Sequence, residues 1–183
     1  MRNAYLIGKK IYLRPLEKTD AEAIAPWLND PEIRRNLARY VPLGIGDEVE
    51  FLAKPRNSES ELILGIALLE NDKLIGSTGL HKIHPKDRSA TFGILVGEKA
   101  EWGKGYGTEA TFLMAKHAFE TLNLNRVQLH VREFNERGIR AYERVGYRRE
   151  GLLRQDTFVD GRYVNTLVMA ILREEWDARR ERS

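Results

Sequence analysis

The chain has 183 residues, room for one domain with a sizeable core, and 42% of them are hydrophobic against 31% charged. Thirty Lys and Arg against 27 Asp and Glu leave a net charge of +3, all of it beyond residue 125, where 13 Arg and no Lys meet 10 acids. So small a surplus argues against a nucleic-acid binder but leaves open a local site for a small polyanion.

Cysteine is absent, which excludes disulfides, thiolate metal sites and cysteine nucleophiles. No apolar run approaches the roughly 20 residues of a membrane helix, and the N-terminus Met1-Arg2-Asn3-Ala4-Tyr5 lacks a signal-peptide core. The expectation is a cytoplasmic protein without membrane association, folded as a single domain over 1–183 with a frayed tail at 175–183.

Ile11-Tyr12-Leu13-Arg14 alternates like a short strand. Thr19 with Glu22 fits a capping box ahead of a helix whose apolar face holds Ala23, Ile24, Trp27 and Leu28. Asp30-Pro31 opens a second helix, with Asp as cap and Pro at its first position. After an irregular stretch with a short helix near Glu48–Ala53, the apolar runs Leu62–Leu69 and Leu74–Leu80 read as a hairpin turning at Asn71-Asp72, and Thr91–Val96 reads as a further strand. Thr108–Leu122 is the clearest helix, with Phe112, Ala115, Phe119 and Leu122 on its apolar face. A half-buried strand follows at Val127, Leu129 and Val131, then a short helix through Ile139, Tyr142 and Val145, closed by Gly146. The strands Tyr147–Phe158 and Arg162–Leu172 flank the turn Asp160-Gly161. The order βααβββαβαββ predicts an α+β fold: a mixed, largely antiparallel central sheet flanked by helices.

The most informative stretch is Trp102-Gly103-Lys104-Gly105-Tyr106-Gly107-Thr108. Three alternate glycines lie just after a strand and just before the best helix. Glycine lets the backbone come close to a ligand, and the helix start behind it offers unpaired N–H groups and partial positive charge, which suit a phosphate. A Walker A loop is excluded because Gly105 follows Lys104. A dinucleotide fingerprint is excluded by the Gly105-Tyr106-Gly107 spacing and by the lack of an acid about 20 residues on. A ligand-free tight turn is the plain alternative.

Gly103-Lys104-Gly105-Tyr106-Gly107-Thr108-Glu109-Ala110 resembles the acetyl-CoA pyrophosphate loop of the GNAT N-acetyltransferases, in particular the subgroup with the ribosomal-protein N-terminal and spermidine acetyltransferases. Three further segments resemble it in order: Leu13-Arg14-Pro15-Leu16 with Asp20 and Trp27-Leu28-Asn29-Asp30-Pro31; Asn135 through Tyr142 to Gly146-Tyr147; and Glu150-Gly151 with Asp160-Gly161-Arg162-Tyr163. Two positions depart from the family pattern. Trp102 stands where Gln or Arg is common, a change that backbone-held phosphate tolerates, and Gly138 stands where a serine is common.

The resemblance implies a GNAT-like fold and direct transfer of acetyl from acetyl-CoA, as co-substrate, to a primary amine, with no covalent enzyme intermediate. It places the cofactor on the strand segment with Leu95 and Val96, on the loop Trp102, Gly103, Lys104, Gly105, Tyr106, Gly107 and Thr108, and on Asn135, with Arg140, Arg137 or Lys104 toward the CoA 3′-phosphate. Tyr142 is the expected acid for the departing thiolate, although with Ile139 and Val145 it also fits a packing stripe. Glu98 is the expected base and His81 the next option. His81 and His84, three apart with no third ligand, do not make a metal site, so no metal is expected; His117 and His130 read as surface positions. Asp30, Glu32, Asp47, Glu48 and Glu50 favour a cationic acceptor, yet Arg34, Arg35 and Arg39 interrupt them. The acceptor is therefore left open among a peptide N-terminus, a polyamine and another small-molecule amine. A homodimer is compatible with the resemblance. The alternatives are a non-catalytic CoA-binding sensor of the same fold and a small RNA-associated module using the Arg-rich end.

Overall fold

A computed structural model describes residues 1–54 and 57–181. Eight strands form one sheet: β1 (Leu6–Ile7), β2 (Ile11–Pro15), β3 (Leu62–Leu68), β4 (Leu74–His84), β5 (Ser89–Val96), β6 (Arg126–Arg132), β7 (Arg148–Val159) and β8 (Arg162–Leu172). Their spatial order is β1-β2-β3-β4-β5-β6-β8-β7. Every neighbouring pair is antiparallel except β5 and β6. The helices are α1 (Ala21–Asn29), α2 (Pro31–Arg34), α3 (Ile45–Ala53), α4 (Tyr106–Glu120), α5 (Glu136–Val145) and α6 (Arg173–Arg180). The sheet is mixed and largely antiparallel, as the chain-order reading expects.

Alternation along the strands assigns the two faces. Leu64, Ile66, Leu80 and Phe92 join Met114, Phe119, Ile139 and Tyr142 in the larger core, under α4 and α5. Ile24, Leu52 and Leu74 form a smaller cluster with α1 and α3.

Local chemistry departs from the sequence reading in four places. The cap ahead of α1 is not Thr19. Asp20 closes a single 3-10 turn (Lys18–Asp20) by accepting the Glu17 N–H at 2.8 Å, because its carboxylate is already fixed by Arg14 at 2.8 Å. Helix α4 starts at Tyr106 and buries Ala110, Leu113, Met114 and Ala118 besides Ala115 and Phe119, while Phe112 and Leu122 are exposed; packing against both sheet and α5 widens its buried face. His117, expected on the surface, is buried, with Tyr5 edge-on at 5.4 Å. Of the tail expected to fray, 175–183, residues 175–180 are helix in α6, pinned by Trp176, which is 2% exposed and stacks on Phe119 at 5.6 Å, while 182 and 183 lie outside the described residues. One indole outweighs the polar composition around it, and the helix start is held by the Leu172 N–H donating to Glu175 at 2.9 Å.

Candidate active site

The parallel pair β5 and β6 touches over three residue pairs only, Ser89 with Arg126, Ala90 with Val127 and Thr91 with Gln128. Beyond Thr91 the two strands part, β5 running on to Val96 and β6 to Arg132. The result is a fork in the sheet, with main-chain edges along both arms. Phe92, the first residue past the fork point, meets the ring of Tyr142 edge-on at 6.2 Å, and Tyr147 packs 6.1 Å from Tyr142.

The segment after β5 leads into the N-terminus of α4. Gly103 and Gly105 have φ of +80° and +91°, the left-handed region that glycine enters without strain, and nothing lies within 4 Å of where their side chains would project. Tyr106, Gly107 and Thr108 open the helix, so their N–H groups have no partner within it, and Glu109 is the first to bond back, to the Gly105 carbonyl at 3.0 Å. A bare glycine approach, unpaired donors and the positive end of a 15-residue helix together form a cradle for phosphate oxygens.

Trp102 ties this loop to its surroundings. Its indole N–H donates to the Val96 carbonyl at 2.7 Å, and the guanidinium of Arg137 lies 3.8 Å from its ring centre. Lys104 pairs with Glu101 at 2.8 Å and Arg140 with Glu136 at 3.0 Å, so of the three candidate cations only Arg137 contacts the loop's tryptophan. Asn135 caps α5 by accepting the Gly138 N–H at 3.0 Å. Burial pushes the Tyr142 hydroxyl up to about 12, so it holds its proton at neutral pH, as a proton donor must. The Tyr147 hydroxyl beside it is buried without a hydrogen-bond partner.

The N-terminal segment braces the fork. Trp27 lies against Gly97, where a Cβ would come within 2.1 Å of the indole. Asn29 clamps the Leu43 main chain in both directions, at 2.7 and 2.9 Å. Asp30 caps α2 through the Glu32 N–H at 2.9 Å while Lys99 bridges Asp30 and Glu32 at 2.8 and 2.9 Å. These acids, read from sequence as candidates for a cationic acceptor, are thus engaged in structure. Glu98 pairs with Lys73 at 2.9 Å, which holds its carboxyl below the ordinary range and makes it a weak base.

On the α1–α3 face lies a cavity of about 560 Å³. Aliphatic side chains such as Leu16, Ile24, Leu28 and Ile63 supply much of its wall, and it runs along the sheet to Gly93, Ile94 and Leu95 of β5. Glu98 is not among the described residues lining it.

Residues 10–148 match the model of the acetyltransferase (GNAT) domain family. The chain belongs to the GNAT family. This GNAT domain is 30% identical over 181 residues to the spermidine N(1)-acetyltransferase of Vibrio cholerae, covering 96% of this chain and 100% of that protein. An uncharacterized N-acetyltransferase, p20, from Bacillus licheniformis is 26% identical over 174 residues, 93% of this chain and 97% of its own. Among solved structures, the Vibrio cholerae spermidine N-acetyltransferase in complex with CoA and spermine superimposes with a TM-score of 0.83 at 27% identity, covering 91% of this chain and 97% of that one. The GNAT domain is accordingly an acetyl-CoA-dependent N-acetyltransferase that uses acetyl-CoA as co-substrate. No cluster of metal-ligating side chains occurs among the described residues, and no helix there is long and apolar enough to cross a membrane.

The ties of Trp27 to Gly97, of Asn29 to Leu43 and of Lys99 to Asp30 escape sequence reasoning, since each joins positions far apart in the chain. The one available signal is the Trp-Leu-Asn-Asp-Pro run itself.

Proposed function

We propose that this N-acetyltransferase acts on a primary amine attached to an apolar body, such as the N-terminus of a peptide, entering through the cavity on the α1–α3 face. The observation that carries this reading is the wall of that cavity. Apolar groups make up most of its exposed wall, and the charges of the described residues on it have mixed sign, Asp47, Glu48 and Glu50 against Arg39 and Lys54. A polycation needs several unopposed carboxylates, whereas one amine on an apolar chain gains from the aliphatic wall. A polyamine is the second reading, favoured by the spermidine-acetylating relative.

In this reading the α4 N-terminus and the glycine loop hold the pyrophosphate of acetyl-CoA, with Leu95, Val96 and Asn135 along the pantetheine path. The main-chain donors at the end of β5 stabilise negative charge developing on the thioester oxygen. Tyr142 supplies a proton to the departing sulfur. The same reading includes a cytoplasmic location, where acetyl-CoA is available, and a homodimer, for which the outer strand β7 offers an exposed edge; light scattering during size exclusion decides the second.

The acceptor is tested by following CoA release with a panel of peptides, polyamines and aminoglycosides. Peptides with an apolar first residue are expected to give a kcat/KM at least tenfold above spermidine. A preference for spermidine would replace the first reading with the second.

A further inference from the structure

The cavity holds a pair of groups that the scheme above leaves unused. His81 on β4 has its Nδ1 2.8 Å from Oε1 of Glu61, the residue just before β3. Its Nε2 lies over Gly79 and Gly93, both of which line the cavity. Gly79 and Gly93 face each other in register across β4 and β5, and a Cβ on either would come within 3.2 and 3.3 Å of that nitrogen. Two positions without side chains thus make the space in which the ring lies. Both partners are partly open, His81 at 39% and Glu61 at 36%, and His81 lines the same cavity as Gly93, Ile94 and Leu95. One ring nitrogen is engaged by a carboxylate, and the other lies beside two glycines of the cavity lining.

We propose that His81, oriented by Glu61, is the base that deprotonates the acceptor; this rests on the acceptor entering through the cavity. An alkylammonium has a pKa of about 10, so near neutral pH its nitrogen holds no free electron pair. The Glu61 carboxylate on Nδ1 keeps the proton there and leaves the lone pair on Nε2. An N–H bond of the ammonium breaks as Nε2–H forms, and Glu61 stabilises the imidazolium. The freed lone pair forms the C–N bond to the thioester carbonyl carbon as the carbonyl pair moves onto oxygen. When the carbonyl reforms, the C–S bond breaks with its pair on sulfur, which takes the Tyr142 proton. The amide nitrogen gives its surplus proton to solvent, the imidazolium does the same, and the tyrosinate regains one. One amide, one thiol and one released proton result. Glu98, paired with Lys73, does not line the cavity; among the described residues the charged groups that do are Asp47, Glu48, Glu50, Arg39 and Lys54, from α3 and its flanking segments.

The test compares His81→Gln and Glu61→Gln with the wild type, using the best amine of the panel across pH 6–9. His81→Gln is expected to lose about 10²- to 10⁴-fold in kcat, to keep the thermal shift given by acetyl-CoA, and to lose the acid limb of kcat/KM. Glu61 is a positioning residue, so Glu61→Gln should lose less and displace that limb. Activity of His81→Gln within twofold of wild type at every pH overturns the proposal. If no amine is acetylated, the acceptor reading fails by itself, and ¹⁵N NMR of the free protein then decides for the dyad. Nδ1–H with a bare Nε2 upholds it, and the opposite tautomer overturns it.

Discussion

Arg14 and Asp20 form an almost fully buried ion pair, with the two terminal guanidinium nitrogens each 2.8 Å from a carboxylate oxygen. Burial pushes the Asp20 carboxyl up, but the Arg14 hydrogen bonds and the Glu17 N–H outweigh it and hold the pKa below the ordinary value. Removing one charge strands the other, so Asp20→Asn should cost about 3–5 kcal/mol, read as a lower urea midpoint at unchanged slope. The Arg14 and Asp20 positions of the N-terminal motif are thereby explained as structural. Tyr142 is different, since its phenol sits against Phe92 at the fork point with its proton retained. Tyr142→Phe should lower kcat at least tenfold while the affinity for acetyl-CoA, from isothermal titration, stays within about twofold. Such a split is the signature of a group that acts in the transition state rather than in binding.

Among the elements, α4 carries the most. Its first turn faces the glycine loop, and its last turn holds His117, whose imidazole burial pushes below its ordinary pKa. The unfolded chain therefore binds that proton more readily than the folded one. Stability is complete above the ordinary histidine value of about 6.5 and declines as pH falls through it toward the lower folded value. Urea midpoints at pH 7.5 and 5.5 should differ less in His117→Gln than in wild type. Helix α6 closes the same flank, with Trp176 between Phe112 at 5.2 Å and Phe119 at 5.6 Å. Trp176→Ala should cost about 3–5 kcal/mol and lower the melting temperature, whereas a dispensable tail would leave it unchanged.

For the molecule as a whole, the strands and the glycine loop were legible because their signals are local. Alternation marks Val127, Leu129 and Val131, and the positive φ at Gly103 and Gly105 is what spaced glycines before a helix imply. Burial of His117 and Trp176 was not legible, since it depends on what other elements lay over them. The site divides in the same way. The Asn135 cap and the Tyr142 stripe follow from helical spacing, whereas the pairing of Glu98 with Lys73 and of His81 with Glu61 joins residues about 20 or more apart. An eight-stranded sheet brings them together by register that no single segment encodes.

In the proposed reading acetyl-CoA lies in the β5–β6 fork with its phosphates on the α4 N-terminus. Thermal-shift titration with acetyl-CoA, run on wild type and Gly105→Glu side by side, tests it most directly. Binding to the folded state raises the melting temperature with ligand concentration. Wild type should show a saturable rise, and Gly105→Glu, with the same far-ultraviolet circular dichroism, should show none, because a carboxylate then stands where phosphate would lie. An equal rise in both proteins would contradict the placement.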